Sequence, residues 1–214
     1  MSGTFVAVVG EKGGAGKSTL AVHLARWHRR RGASVRVIDA DATQRAASRW
    51  LAEADPSVDV VVAETPDDVI EIAVDGFDVV IGDGPAGMAE VSRLLLLRAD
   101  VALLPVGPSV LDLRALADTA RLVAQVQRAL RPHLRALVVP MRVQPHVRLS
   151  REVIEAAGAL GLPVASVHIP QRAAIADAPG QGTTVFDMGA ATREAAIAFD
   201  TLFRETFDDA QEAP

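Results

Sequence analysis

Dense apolar runs alternate along this chain with longer stretches in which apolar residues recur three and four positions apart. The first pattern is that of strands and the second that of helices with one buried face. The runs predict strands at Thr4–Val9, Ser34–Ile38, Val58–Ala63, Asp78–Ile81, Val101–Pro105, Ala136–Val139 and Val164–Ile169. The intervening periodicity predicts helices at Lys17–Arg31, Gln44–Glu53, Pro66–Val74, Glu90–Arg98, Asp112–Leu130, Ser150–Leu160 and Ala190–Phe207. Leu20, Leu24 and Trp27 share a face of the first helix, and Gly32, Gly76 and Gly161 stand where helices should stop. Val58-Asp59-Val60-Val61-Val62 and Asp78-Val79-Val80-Ile81 are almost unbroken β-branched runs, as expected of strands covered on both faces. The sum is a doubly wound α/β domain, a mainly parallel sheet of about seven strands with helices on both faces, residues 1–214 forming one domain.

Composition narrows the function. Half of the 214 residues are hydrophobic, enough to build a full core. There is no run of about eighteen uninterrupted apolar residues, so no membrane span is expected. Met1–Val9 lacks the basic stretch of a secretion signal and reads as a buried first strand. Cysteine is absent, which excludes disulfides, thiolate catalysis and cysteine-ligated iron–sulfur or zinc sites, and points to a cytoplasmic location. The five histidines show no paired metal-binding spacing, and Trp27 and Trp50 read as packing residues.

Positive charge is distributed unusually. The chain has only two lysines, Lys12 and Lys17, and both lie in the loop Glu11-Lys12-Gly13-Gly14-Ala15-Gly16-Lys17-Ser18-Thr19. A strand before this loop and a helix after it make it a phosphate cradle, where a slim ammonium reaches between phosphate oxygens and backbone N–H groups hold the anion. Gly13, Gly14, Ala15 and Gly16 form the bend, Lys17 bridges the outer phosphates of ATP, Ser18 offers a hydroxyl to Mg²⁺, and Thr19 completes the loop. The general GxxxxGK[ST] pattern is not strictly met, because Glu11 occupies the leading glycine position. Asp39, Asp41 and Asp83 each end a predicted strand, on the edge where open α/β sheets bind ligands. Three carboxylates gathered there would repel one another unless a phosphate-bound cation offset them.

Net charge is −5, yet from Arg114 to Arg151 eight arginines face a single acid, Asp118. Two readings stay open for this segment: a solvated helix face, or a footprint for a polyanion such as DNA.

KGGAGKST resembles the deviant phosphate loop of the ParA/MinD family of ATPases, and similarity continues through Val37–Gln44, Phe77–Pro85 and Ala99–Ser109. The resemblance implies an ATP-dependent homodimer in which Lys12 reaches the partner's nucleotide while Lys17 holds its own. It also implies that Asp83 holds Mg²⁺ through water, that Asp41 positions or activates the attacking water, and that Asp39 supports the loop or the metal shell. Ala42 replaces the family's proline and Thr43 is an added residue. Pro170 and Gln171 are similar to the segment beside the adenine base, and Arg142, Arg148, Arg151 and Arg172 match regions that bind nonspecific DNA in partition members.

Missing cysteines set aside the iron–sulfur relatives, and the acidic end Phe203–Glu212 sets aside a membrane-targeting member. With few residues before the first strand, no N-terminal operator-binding domain is expected. The implied class is a short ParA-type ATPase, slow and stimulated by a ParB-type adaptor, associated with the nucleoid and moving a plasmid, chromosome region or protein cargo. The alternative is an ATP-dependent carboxylate-activating ligase of the same superfold, similar to dethiobiotin synthetase.

Overall fold

A computed structural model describes residues 3–208. In chain order the elements are β1 (Thr4–Val8), α1 (Lys17–Arg30), β2 (Val35–Asp39), α2 (Ala46–Ala54), β3 (Asp59–Val62), α3 (Pro66–Glu71) and β4 (Val79–Asp83). They continue with α4 (Ala89–Arg98), β5 (Val101–Val106), α5 (Val110–Ala129), β6 (Arg135–Pro140), α6 (Arg148–Gly158), α7 (Ala173–Asp177) and α8 (Arg193–Phe207). All strand pairs are parallel, in the order β3-β2-β4-β1-β5-β6.

The two-residue strand period sorts the β-branched runs into two cores. Val6 and Val8 of β1 join Val79 and Ile81 of β4 under α1, α2 and α8, while Phe5 and Ala7 join Val80 under α3, α4, α5 and α6. Phe199 and Phe203 of α8 are fully buried in the first layer, where truncation to alanine costs about 3–5 kcal/mol. Gly82 of β4 is required by packing, because a Cβ there would lie 2.5 Å from Leu95 of α4. Trp27 and Trp50 are packing residues whose indole N–H groups reach Asp200 (2.8 Å) and the Thr183 carbonyl (2.7 Å).

The sheet has six strands, not seven. The expected last strand, Val164–Ile169, makes only isolated bridges: Val164 pairs with Val138 of β6, and just beyond its end Pro170 pairs with Val143, outside the sheet. The ladder begins with the Ala165 N–H on the Val138 carbonyl at 2.9 Å and stops at Pro140, which has no N–H to return, while the Ser166 N–H, facing away from β6, donates to the Glu205 carboxylate of α8 at 2.9 Å. Pro163 and Pro170 flank the segment and have no N–H to give. Among the described residues no helix is long and apolar enough to cross a membrane. Asp209 and Glu212 of the acidic end lie outside the described residues.

Candidate nucleotide site

Register gathers the site. Val8, Asp83 and Asp39 fall on one row across β1, β4 and β2, at the C-terminal edge of the sheet. The glycine-rich loop leaves β1 on that row and turns into α1 through Gly14 and Gly16, with φ of 73° and 104°. Gly16 cannot be replaced cheaply: its backbone is left-handed and a Cβ would lie 3.0 Å from the Met141 side chain. Glu11, standing where the general motif has glycine, does not have the positive φ that would demand one, and its carbonyl accepts the Gly87 N–H at 2.8 Å. The first turn of α1 has no side-chain cap and no acidic residue, so its N–H groups and the positive end of the helix dipole remain available to an anion.

Lys17 is the first residue of α1 and only 7% exposed. Its ammonium donates to the Lys12 carbonyl at 2.9 Å. Burial lowers its pKa, and the charges of Asp83, Asp41 and Glu11 oppose that shift. A cavity of about 200 Å³ opens beside it, lined by Gly13, Gly14, Gly16, Lys17, Ser18, Thr19, Asp41, Gln44, Gly84 and Ala86. The expected loop residues therefore line one chamber, apart from Ala15, which is buried behind the bend, and Lys12.

The carboxylates do different work. Asp83 is fully buried, and burial pushes its pKa up to about 7; the Ser18 hydroxyl and Lys17 lower it, while Asp39 and Asp41 raise it. Its Oδ1 has no hydrogen-bond partner. A buried orphan oxygen beside a hydroxyl, next to Ser18 and Gly84 of the chamber lining, fits a magnesium ion that would take its remaining ligands from phosphate and water. Asp39 is already committed: one oxygen accepts the Asp41 N–H at 3.2 Å and the other the Ser48 N–H at 2.8 Å. It thus shapes the loop after β2 and the start of α2. Asp41 lines the chamber while accepting the Gln44 N–H at 2.9 Å. The added Thr43 is absorbed in a tight turn that ends with Arg45 left-handed at φ 49°.

A second chamber of about 450 Å³ shares Gly14, Gly16 and Thr19 with the first. Its wall includes Met141, Arg142, Ile169, Pro170, Gln171, Arg172 and Ile175. Mostly apolar and joined to the phosphate chamber, it suits a base and sugar. Pro170 and Gln171, the expected base contacts, both line this chamber. The sequence reading passed over Met141, Ile169 and Ile175, because isolated apolar residues carry no signal of the cavity they line.

Lys12 faces elsewhere. Its ammonium is 3.0 Å from Oδ1 of Asp112 and 3.4 Å from the Ser109 hydroxyl, at the start of α5. Asp112 went unread as a site residue, although Ser-x-x-Asp is a helix-start pattern and the Asp112 N–H does donate to Ser109 Oγ at 3.0 Å.

The arginines are partly neutralised. Arg148 pairs with Glu152 (2.6 Å), Arg131 with Asp100 (3.1 Å) and Arg121 with Asp118. Arg172 is held by both oxygens of Glu194, and Arg142 lies 3.9 Å from Asp112. Arg151 has no ion pair among the described residues. Val143 pairs with Pro170 and Gln144 bonds Gln171, so the segments bearing Arg142, Arg148 and Arg172 run side by side. Arg114, Arg121 and Arg128 are exposed at seven-residue spacing along one stripe of α5.

Known proteins share this architecture. The family described as the CobQ/CobB/MinD/ParA nucleotide binding domain matches residues 6–185. The maintenance of carboxysome distribution protein A of Halothiobacillus neapolitanus is 30% identical over 207 residues, covering 94% of each chain. The chromosome-partitioning ATPase Soj of Thermus thermophilus is 26% identical over 242 residues, covering 97% of each. Among solved structures, an ATP complex of a McdA variant from Cyanothece superposes with a TM-score of 0.78 at 19% identity, covering 97% of each chain. The cell division ATPase MinD of Pyrococcus furiosus gives 0.77 at 24% identity, over 96% of this chain and 99% of that one. With its loop, carboxylates and two chambers arranged on this sheet, the chain belongs to the CobQ/CobB/MinD/ParA nucleotide-binding family, as a ParA-type P-loop protein.

Proposed function

We propose that the chain is an ATPase that dimerises on ATP, binds DNA without sequence preference and positions a plasmid, chromosome region or protein cargo through an adaptor protein. The carrying observation is the division of labour between its two lysines. Lys17 is buried at the phosphate chamber of its own chain, whereas Lys12 does not line that chamber and is paired instead with Asp112 at 3.0 Å. An ammonium at the rim that does not serve its own nucleotide is placed to serve one bound in a second copy.

Lys17 and the uncapped N–H groups of α1 bind the phosphates, and Asp41 orients the attacking water and takes its proton. Ser18 and Asp83 would hold Mg²⁺, which draws negative charge from the phosphoryl oxygens. Lys12 of the second copy adds positive charge where negative charge builds on the leaving oxygen in the transition state. The adenine contacts come from the chamber at Pro170 and Gln171. DNA contacts come from arginines on α5 and at the start of α6, and go to phosphates. The partition and distribution roles in the names of two relatives support the positioning part of this reading.

Gel filtration with Mg²⁺ and a hydrolysis-resistant ATP analogue, followed by a DNA shift at about 50 and about 200 mM salt, tests it. A nucleotide-dependent dimer whose DNA affinity falls steeply with salt is expected, and Lys12→Ala should bind ATP yet stay monomeric. A wild-type monomer indifferent to both nucleotide and DNA would instead favour the carboxylate-activating ligase.

A further inference from the structure

Arg45 holds a backbone conformation that its side chain makes costly. Its φ is 49°, left-handed, and it is neither glycine nor asparagine, the residues that adopt this region readily. Strain of this kind persists only where the surroundings over-determine it. Here they do, because Arg45 closes the turn that begins at Asp41 in several places. Its N–H donates to the Asp41 carbonyl at 2.8 Å, and its Nε donates to the Ala42 carbonyl at 3.0 Å. Its Nη2 reaches beyond the turn to the carboxylate of Glu64, which follows β3. Its own carbonyl accepts the Arg49 N–H at 3.1 Å and so starts α2. One residue therefore ties the turn after β2 to the neighbouring strand on one side and to the helix on the other.

The turn carries Asp41 and Gln44, both of which line the phosphate chamber. Asp41 is pushed outward by its neighbours. Asp39 and Asp83 are buried on strands, whereas Asp41 is half-buried on a loop, so the repulsion among the three carboxylates falls on the loop. Oδ1 of Asp41 accepts the Gln44 N–H at 2.9 Å within the same turn, and its other oxygen has no hydrogen bond among the described residues. The direction of the carboxylate thus depends on the turn staying closed. Resting on the reading that Asp41 orients the attacking water, we infer that Arg45 is a positioning residue for hydrolysis: its guanidinium staples the turn that aims Asp41 into the chamber, and Glu64 anchors the staple. Arg45 touches neither phosphate nor water. The ion pair itself lies on the surface, with side chains 43% and 55% exposed, so its charge–charge part is weak and screened by salt. The bond to Ala42 and the fixed backbone carry most of the effect.

The test separates chemistry from binding and from folding in the full-length protein. Arg45→Asn suits the left-handed backbone but removes the guanidinium. Single-turnover hydrolysis of ATP with Mg²⁺, followed over hours, should slow roughly five- to fifty-fold, as expected when a reacting group is misplaced by less than about an ångström. Affinity for a hydrolysis-resistant ATP analogue should stay within about two-fold of wild type, the signature of a contribution made only in the transition state. The urea midpoint should equal or exceed that of wild type, because the backbone strain is relieved. Arg45→Lys keeps a charge for Glu64 but lacks the fork that also reaches Ala42, and its rate should fall between the two. Glu64→Gln should slow hydrolysis by about two-fold at about 50 mM salt, a difference that closes at about 500 mM. If Arg45→Asn hydrolyses at the wild-type rate, or loses analogue affinity by the same factor as rate, the positioning role is refuted. A lowered urea midpoint with hydrolysis unchanged would likewise reduce Arg45 to a structural residue. An Asp41→Ala variant as fast as wild type, or a wild type that hydrolyses no ATP, overturns the parent reading and this inference with it, so these two controls tell the failures apart.

Discussion

Asp83→Asn should make the nucleotide-free protein more stable while weakening its hold on Mg²⁺ and nucleotide. The buried carboxyl of Asp83 is pushed from 3.8 to about 7, chiefly by desolvation. Between those values the native state holds a proton that the unfolded chain has lost, so stability from this group falls as pH rises, by at most about 1.4 kcal/mol per pH unit. Above pH 7 the full cost is about 4 kcal/mol, or nearer 2 if Lys17 relaxes toward the charge. Asparagine has the same shape, can still accept from Ser18, and carries no charge to desolvate. The assay is urea unfolding by tryptophan fluorescence in chelator, from pH 5 to 8.5, for both proteins. The advantage of Asp83→Asn should grow through pH 7 and then level, reaching about 2–4 kcal/mol in unfolding free energy at pH 8. Added Mg²⁺ and ATP analogue should stabilise the wild type by about 2.7 kcal/mol at a hundred times Kd, and the variant by clearly less. A variant no more stable than wild type at pH 8, or a pH-independent difference, would refute the claim that Asp83 is a desolvated anion kept for a cation.

Lys17→Ala removes the ammonium from the phosphate chamber and should abolish ATP binding in calorimetry; an unchanged affinity contradicts the placement of the triphosphate. Asp41→Ala should bind ATP but hydrolyse it at least about a hundred-fold more slowly, seen as a long-lived dimer in chase experiments. His23 and His28 are buried, and burial lowers both to about 4. Their neutral forms support the fold above pH 6.5, and that support is lost as pH falls toward 4, so His28→Phe, seated against Trp27 and Phe207, should flatten the acid limb of the stability curve. A slope unchanged by that substitution would place His28 in contact with water.

Local pattern was sufficient for the fold class, the loop and the three strand-end aspartates. Two-residue and 3.6-residue periods report which faces are buried, and glycines beside a lysine report where the backbone must bend around an anion, all within a few positions of the residue concerned. The same locality explains what the pattern missed. The seventh strand was lost because β6, a remote segment, ends in Pro140, which has no N–H to return to the Ala165 carbonyl. For Asp39 the sequence left loop support and the metal shell both open, and the contacts of its two oxygens with the backbone at Asp41 and Ser48 depend on how the loop after β2 folds. Lys12 and Asp112 are 100 residues apart, and no period or motif pairs them; parallel crossovers carry the start of α5 to the phosphate loop, and only then does one amine acquire a partner distinct from its neighbour's. The sequence by itself determined that a glycine-rich loop with two lysines joins the first strand of a parallel sheet to the first helix, because that pattern is written in adjacent residues. Which cation rests on which anion was decided by the tertiary structure, because burial and distance between remote segments, not residue type, set the strength of a charge pair.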